Sequence, residues 1–269
     1  MKATAAVGLL TDIWASIKIA LLPTLKELIA RPSLFFKPSE ISRIFMAKVW
    51  AGGFGDGVDE GGRSTKEHLI TPNAFGAVLD LGAGHGHTVR YLDHTKVTRY
   101  IALEPNTNMH SFIRKAASEA GYHESDGSFV LLSCGAEETT KILTALDSVQ
   151  VDTVVSILTL CSVPDPEKTI RNLVRDVLKP GGLFLFYEHV LSHRRDVAWW
   201  QRFWTPIWVH AFDGCRLDRP TDIYCADLKV EEENGGGLRS PWREQELWNK
   251  VDEPEEHLFW HQVGKFVKN

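Results

Sequence analysis

The chain has 269 residues, of which 43% are hydrophobic and 24% are charged, and its 30 basic and 35 acidic residues give a net charge of -5. These proportions are those of a soluble globular protein, and the length suffices for one large domain or one domain with an extension. A protein that binds nucleic acid normally carries a basic face. We therefore expect no nucleic-acid partner.

The N-terminal segment, residues 7–30, is mostly apolar but is interrupted by charged residues and by Pro23. A membrane-spanning helix needs about 20 nearly uninterrupted apolar residues, and a signal peptide needs a cleaner pattern. We predict two amphipathic helices on either side of Pro23, which either pack as a cap on the domain or place one helix on a membrane surface. A third helix is predicted from Ser39 to Val49, before a flexible glycine-rich loop at 51–62.

From residue 77 onward, short apolar runs alternate with amphipathic stretches. The apolar runs predict five strands, at 77–81, 99–104, 128–133, 152–160 and 183–190. The amphipathic stretches predict helices at 87–94, 108–120, 137–146 and 166–178. Crossovers between parallel strands are right-handed, so this alternation predicts a parallel sheet covered by helices, with a ligand at the carboxyl ends of the strands. Two further strands, at 226–233 and 257–268, would add an antiparallel pair.

A glycine-rich turn follows the first predicted strand, with Gly82, Gly84 and Gly86 opening the first helix. Glycines let a ligand approach the backbone closely, and a helix start presents free N–H groups. Glu104 lies 18 residues after Gly86, where an acidic residue holds ribose hydroxyls in nucleotide-binding α/β folds. The GxGxxG spacing typical of NAD sites is absent, which favours S-adenosylmethionine (SAM) as the cofactor.

Four segments resemble a known family: VLDLGAGHGHT, ALEPN, LTLCSVPDPEKTIRNLVRDVLKPGGLFLFYEHV and WTPIWVHAFDGCRLDR. They are similar to class I SAM-dependent methyltransferases with a type 11 domain, and more closely to the alkyl-thiol methyltransferases of mammalian microsomes. The resemblance implies a Rossmann-like α/β fold with a seven-stranded, mostly parallel sheet and an antiparallel edge strand. It implies a methyltransferase domain at 77–269 with a substrate-covering insert at about 191–224, after an N-terminal helical cap at 1–76.

The same resemblance implies which residues contact SAM. These are Asp80, Gly82, Ala83 and Gly84 for the methionine part, Glu104 for the ribose, Pro105, Asn106, Met109, Gly135, Ala136 and Glu137 for the adenine, and Leu158 and Leu160 beneath the sulfonium. Relatives often read GDAE where this chain reads Cys134-Gly135-Ala136-Glu137. The carboxylate that usually meets the adenine amine is therefore missing from position 135.

Methyl transfer from SAM displaces an already activated methyl group, so the protein mainly aligns the nucleophile and excludes water. A thiol, with a reference pKa of about 8.5, needs little activation. We expect a small, largely apolar acceptor, with thiol sulfur favoured and phenolic or carboxylic oxygen next. A protein that retains SAM but catalyses carbon or nitrogen methylation or a cyclisation, or that acts as a binding partner, is the alternative.

Candidate proton acceptors follow the fifth strand, at Glu188, His189, His193, His210 and Asp213. His189 stands at a strand's carboxyl end, where it either contacts the substrate or holds the cap by a hydrogen bond. His210 and Asp213 belong to a run that should line the substrate side, and the carboxylate of Asp213 fits a turn cap as well as a base.

The cysteines lie far apart in the sequence, without CxxC pairs or zinc-like spacing, at Cys134, Cys161, Cys215 and Cys225. This pattern predicts reduced thiols, no metal site and a cytoplasmic protein. Peripheral membrane contact is a separate hypothesis, which depends on the apolar N-terminal helices. A cluster of four tryptophans spans residues 199–208. Trp200, Trp204 and Trp208 share one helical face, which fits a core face, an aromatic wall for an apolar acceptor, or membrane contact.

Overall fold

The computed structural model describes residues 3–231 and 237–269, and its centre is a seven-stranded sheet. The five predicted parallel strands are confirmed as β1 (Gly76–Leu81), β2 (Val97–Leu103), β3 (Phe129–Leu132), β4 (Val151–Ile157) and β5 (Leu178–His189). They pair in the order β3-β2-β1-β4-β5, and all of these pairs are parallel. Alternate residues of β1 enter different cores, Val78 on one face of the sheet and Leu79 and Leu81 on the other.

Four strands follow β5, namely β6 (Val230–Glu231), β7 (Leu238–Arg239), β8 (Trp242–Asn249) and β9 (His261–Lys268). β9 runs antiparallel between β5 and the edge strand β8, which confirms the mostly parallel seven-stranded sheet with an antiparallel edge. The strand predicted at 226–233 is wrong for most of its length. Residue 226 ends a helix, β6 pairs only with β7 in a separate sheet, and residues 232–233 lie outside the described chain.

The edge strand β8 was missed because its side chains are mostly exposed. Trp242 is its one buried residue, and charged or amide side chains occupy most of the other positions. Such a strand lacks the alternation of apolar and polar residues that marks a half-buried strand in a sequence. The long strand predicted at 257–268 is confirmed only from His261 onward.

The helices that follow the glycine turn cover the sheet. Five helices come before that turn, namely α1 (Ala3–Ala6), α2 (Leu9–Ala30), α3 (Pro38–Val49), α4 (Gly55–Gly61) and α5 (Arg63–Ile70) in the described part of the chain. After it come two 3-10 turns, His87–Tyr91 and Thr107–Met109, and then α6 (His110–Glu119), α7 (Thr139–Ala145), α8 (Pro166–Asn172), α9 (Arg195–Ala211) and α10 (Thr221–Ala226). Among the described helices, none combines the length and the continuous apolarity that spanning a bilayer requires.

The N-terminal layer corrects two predictions and confirms the third helix as α3. Pro23 lies inside the single helix α2, whose buried residues pack against α3, so tertiary packing offsets the hydrogen bond that proline removes. The predicted loop at 51–62 is instead a π-helical turn, Trp50–Phe54, followed by α4. A side chain at Gly55 would lie 2.6 Å from the Trp50 ring, so this glycine permits close packing rather than a flexible loop.

The tryptophan-rich helix α9 packs mainly as core. Trp204 and Trp208 are buried together with Leu9 of α2, and Nε1 of Trp204 donates to the carbonyl of Ala6 at 2.8 Å. Trp199 on the opposite side of α9 is 57% exposed. The core interpretation therefore applies to the buried face, and none of these side chains lines the main cavity among the described residues.

Candidate active site

A cavity of about 400 Å³ opens at the carboxyl ends of β1, β2 and β4. This volume lies within the range of small-molecule sites. The parallel register explains its position, because Leu81 of β1 aligns with Leu103 of β2 and with Ser156 of β4. The glycine turn, Glu104 and the loop after β4 therefore leave the sheet at the same edge, and the N-terminal layer covers them.

The glycine turn forms a cradle in the cavity wall. Gly82 and Gly84 have φ angles of 59° and 57°, which side chains rarely allow. A Cβ atom at Gly82 would lie 2.6 Å from the Thr159 side chain, and one at Gly84 would lie 3.3 Å from Nε1 of Trp50. Glycine is therefore required here by the backbone angles and by close packing against Thr159 and Trp50, while the backbone of the turn lines the cavity.

Glu104 presents a carboxylate to this cradle. Its Oε2 accepts the Gly84 N–H at 2.9 Å, and its Oε1 accepts the Asn106 N–H at 2.8 Å. Each oxygen retains a lone pair for one more donor, as two ribose hydroxyls require. Burial raises the pKa of Glu104 to about 7, although the two backbone N–H groups oppose this rise. The residue therefore fits the ribose-binding role.

Ten of the thirteen residues implied to contact SAM line the cavity. They are Gly82, Ala83, Gly84, Glu104, Pro105, Met109, Gly135, Ala136, Glu137 and Leu158. Asp80, Asn106 and Leu160 lie behind the wall. Asp80 accepts the Tyr100 hydroxyl at 2.8 Å, and burial raises its pKa to about 7. Asn106 donates its side-chain amide to the carbonyl of Arg43 at 2.9 Å and so ties α3 to the end of β2.

The segment with the missing aspartate has a second acidic residue nearby. The carboxylate of Glu137 folds against Gly135 and occupies the space that a side chain at position 135 would need. The neighbouring Glu138 is engaged elsewhere, because it accepts the Gly135 N–H at 3.0 Å and pairs with Lys141. Glu137 thus supplies a carboxylate at the place where relatives have aspartate.

The loop after β4 is held rigidly under the cavity. Leu158 has a φ of 54°, an unfavourable conformation for a residue with a side chain. Oε1 of Glu188 anchors the loop by accepting the Ser156 hydroxyl at 2.7 Å and the Thr159 N–H at 2.9 Å. Glu188 is fully buried and does not line the cavity, so its role is to position this loop.

Like the exposed His193, two further histidines proposed as proton acceptors do not line the cavity. His189 is 4% exposed, and its Nε2 faces the Sγ atom of Cys215 at 3.3 Å. His210 lies on the exposed face of α9. A proton acceptor must come within hydrogen-bonding reach of the substrate, so the geometry does not support this assignment for either residue.

Asp213 does line the cavity, beside α3. Its N–H donates to the Ser42 hydroxyl at 3.1 Å, and its Oδ1 lies 3.8 Å from Nε of Arg43. Burial raises the pKa of Asp213, and the guanidinium of Arg43 opposes this rise. Its φ of 45° places the residue in a turn, while its carboxylate faces Arg43 at the cavity wall.

A buried ion pair in the cavity was missed in the sequence. Asp59 and Lys66 pair with each other, and the Tyr91 hydroxyl donates to Asp59 at 2.9 Å. Burial lowers the pKa of Lys66, although pairing with Asp59 opposes this change. Asp59 lies in α4 and Lys66 in α5, so they do not share the face of one continuous helix. The glycine-rich stretch around Asp59 indicated a loop, and the pair forms only where the two helices pack together.

Comparisons with known proteins agree with this geometry. Residues 79–186 match the family model described as "Methyltransferase domain". The thiol S-methyltransferase TMT1B of Rattus norvegicus is 38% identical over 54% of this chain and 55% of its own length. The human thiol S-methyltransferase TMT1A is 31% identical over 58% of this chain and 60% of its own length. The matched part of the chain thus spans only a little over half the length of these relatives.

A solved structure of an O-methyltransferase family protein from Burkholderia thailandensis has the same fold, with a TM-score of 0.57 at 11% identity. The alignment covers 86% of this chain and 60% of that protein. The matched family segment contains the end of β1, all of β2 to β4, most of β5 and the turns that build the cavity. Residues 79–186 therefore match a methyltransferase domain, the fold is that of the solved O-methyltransferase family protein, and the chain is similar to the thiol S-methyltransferases.

Proposed function

We propose that the protein transfers the methyl group of SAM to the sulfur of a small, largely apolar thiol, with phenolic or carboxylic oxygen as the next acceptor class. The observation that carries the proposal is a cavity in which the cradle and carboxylate for SAM adjoin apolar side chains, Met46, Trp50 and Phe212. The preference for sulfur is supported by the relatives named thiol S-methyltransferases.

The buried pair of Asp59 and Lys66 suits the methionine end of SAM. That end carries one ammonium and one carboxylate group, and the pair offers one opposite charge to each. A buried ion pair is stable only when its charges are well compensated. We propose that Lys66 receives the carboxylate and Asp59 the ammonium, while Glu104 accepts the ribose hydroxyls.

Glu137 is proposed to accept the adenine amine. A carboxylate at this place matches the amino group's two N–H donors, and an acceptor that carries charge strengthens the hydrogen bond. The substitution of aspartate by Gly135 is therefore compensated two residues later, from a longer side chain that reaches the same space.

Bound SAM supplies an activated methyl group on a sulfonium sulfur. The residues of the chain have three tasks, which are to fix the acceptor in line, to exclude water and to receive the proton. The loop at Leu158, anchored by Glu188, forms a fixed floor, and Trp50 and Phe212 help to keep water away. Asp213, oriented by Arg43, is the proposed acceptor of the thiol proton.

Calorimetry with SAM and a tritiated-methyl assay over thiols, phenols and carboxylic acids test this proposal. We expect SAM to bind and apolar thiols to be the most rapidly methylated. Asp213→Asn should lower turnover more than SAM affinity, while Asp218→Asn, outside the cavity lining, should change neither. Absence of SAM binding would overturn the proposal. Binding without transfer to any acceptor would instead favour a protein that uses SAM for another reaction.

We also propose a cytoplasmic location in contact with a membrane surface. Apolar side chains are exposed along one side of α2, including Leu22 at 62% and Ile29 at 76%, and along α9, including Phe203 at 50%. The start of α2 lies near α9, because Trp204 of α9 donates to the carbonyl of Ala6 just before α2 and shares a core with Leu9. Exposed apolar side chains along a helix are typical of an interfacial site.

Sedimentation with phosphatidylcholine vesicles tests the membrane contact. We expect the wild-type protein to sediment with the vesicles, and the variant Leu22→Glu/Phe203→Glu to stay in solution. Val251→Glu is the matched control, since Val251 is 74% exposed but lies on neither helix. Equal sedimentation of all three proteins, or none by the wild type, would overturn this proposal.

A further inference from the structure

Three side chains from separate elements converge behind the cavity wall. They are Cys161 after β4, His189 at the end of β5 and Cys215 after α9. Sγ of Cys215 lies 3.5 Å from Sγ of Cys161 and 3.3 Å from Nε2 of His189, and all three donor atoms lie within 4.8 Å of one another. We propose that these residues bind one Zn²⁺ ion.

The distances fit the geometry of a tetrahedral zinc site. Zinc binds thiolate sulfur at about 2.3 Å and imidazole nitrogen at about 2.0–2.1 Å. Tetrahedral angles then separate two sulfurs by about 3.8 Å and a sulfur from a nitrogen by about 3.5 Å. The observed separations of 3.5 and 3.3 Å are within a few tenths of an ångström of these values. An ion could therefore enter with small side-chain movements.

Hydrogen bonding does not explain why this polar cluster is buried. Cys161 and His189 are 1% and 4% exposed, and they lie beside the apolar core that contains Trp208 and Leu217. Nε2 of His189 faces sulfur, a weak partner, and its Nδ1 has no hydrogen-bond partner in the described part of the chain. Buried polar groups normally find strong partners. A bound cation would supply the missing interaction.

The backbone around the two cysteines is already fixed. The Arg216 N–H donates to the carbonyl of Cys161 at 3.1 Å, which joins the segment of Cys215 to the loop after β4. Nη1 of Arg219 donates to the same carbonyl at 2.9 Å and to that of Leu160 at 3.1 Å. Because the donors are held before an ion arrives, less conformational freedom is lost on binding.

The proposed ion would brace the acceptor side of the cavity. Ser162, which follows Cys161, and Asp213, two residues before Cys215, both line the cavity. Three protein donors leave a fourth position on a tetrahedral ion. The Ser162 hydroxyl lies 3.6 Å from Sγ of Cys161 and is placed to offer that position a ligand directly or through water.

Metal analysis of the full chain tests the site without SAM or acceptor, so its result is separate from the proposed methyl transfer. After incubation with Zn²⁺ and gel filtration under reducing conditions, we expect about one zinc per chain. Cys161→Ser and Cys215→Ser should each weaken zinc affinity by at least about tenfold. Cys225→Ser is the matched control, because Cys225 is an equally buried thiol in a different core. His257→Gln tests whether the bound zinc lies instead in a second cluster, formed by Glu253, His257 and His261.

Cobalt absorption keeps the test valid if a cysteine variant fails to fold. Folded wild-type protein and Cys225→Ser should both show thiolate-to-cobalt charge-transfer bands when Co²⁺ is added, and Zn²⁺ should displace them. Uptake of neither metal by the folded wild type would overturn the proposal. Zinc affinity equal to that of the wild type in folded Cys161→Ser and Cys215→Ser would also overturn it. So would a mass lower by two hydrogens that maps to a Cys161–Cys215 disulfide in protein prepared under mild reduction.

Discussion

The two sides of the cavity are built in different ways. On the sheet side, the glycine turn, Glu104 and Leu158 each follow a strand directly, and parallel pairing brings them to one edge. On the cap side, the lining residues Arg43, Asp59, Lys66 and Asp213 come from segments separated by as many as 170 positions. Contacts between those segments join them, including the hydrogen bond from the Asp213 N–H to Ser42. Local motifs therefore determine the first side, and long-range contacts determine the second.

The two sides also treat buried charge differently. Among the described residues, the hydrogen-bond partners of Asp80 and Glu104 on the sheet side are uncharged, and burial raises the pKa of each carboxyl to about 7. On the cap side, the buried Asp59 carboxylate has the ammonium of Lys66 beside it. A buried pair depends on both of its members, whereas the raised pKa values of Asp80 and Glu104 bring their titration into the neutral pH range.

The largest expected effect is on the cap side. Lys66→Met removes the ammonium beside the buried Asp59 and leaves it the guanidinium of Arg90, 3.5 Å away, so we expect the free energy of unfolding to fall by about 3 kcal/mol. Urea denaturation followed by circular dichroism measures this change. The double variant Asp59→Asn/Lys66→Met should be more stable than Lys66→Met alone, because no unpaired charge is left. If the double variant loses the sum of the two single effects, the two residues do not act as a pair.

The next largest effect is on the sheet side. In Glu104→Gln, the NH2 group of the amide faces the N–H of Gly84 or Asn106, and the charged acceptor is lost. SAM binding should therefore weaken by about 1.5–3 kcal/mol, or about 10–100-fold in Kd. Calorimetry measures the affinity. Glu124→Gln, at an exposed ion pair with Arg114, is the control and should bind like wild type. Unchanged affinity in Glu104→Gln would contradict the ribose assignment.

The pH dependence of SAM binding separates the two sides. Only the ionised Glu104 can accept both ribose hydroxyls, and its pKa of about 7 means that it becomes protonated as the pH falls. We expect Kd to rise about tenfold from pH 8 to pH 6. Glu104→Gln should remove most of this change. A slope that persists in the variant would assign the titration to another group, such as Asp80.

The same raised pKa values determine how stability depends on pH without ligand. The folded protein holds protons on Asp80 and Glu104 that the unfolded chain, with ordinary carboxyl pKa values, has already released between about pH 4 and pH 7. The contribution of these two groups to stability therefore falls as the pH rises through this window.

The smallest expected effect concerns the adenine. Glu137→Ala should weaken SAM binding by about 1 kcal/mol, or about fivefold, because the lost hydrogen bond is partly exposed to water. Adding Gly135→Asp to this variant should restore most of the affinity, since the aspartate then occupies the space vacated by Glu137. Glu119→Ala on the exposed face of α6 is the control. Failure of the second substitution to restore binding would argue against compensation.

The sequence alone determined the sheet and its cofactor side. Five apolar runs became the five parallel strands, and a glycine turn and an acid at a set spacing identified the residues of the cradle, because the end of a strand positions the residues directly after it. It did not determine that α2 continues through Pro23, that 51–62 folds into helix, or that β8 forms from an exposed, charged stretch.

Tertiary structure alone decided the remaining features, because they depend on which segments pack together. Packing pairs Asp59 with Lys66 and places Glu137 beside Gly135. It also buries His189 outside the cavity lining. Cys161 and Cys215, which are 54 positions apart in the chain, come within 3.5 Å of each other. Propensity and periodicity describe each segment by itself. They carry no information about contacts that form only when the helical layer closes over the sheet.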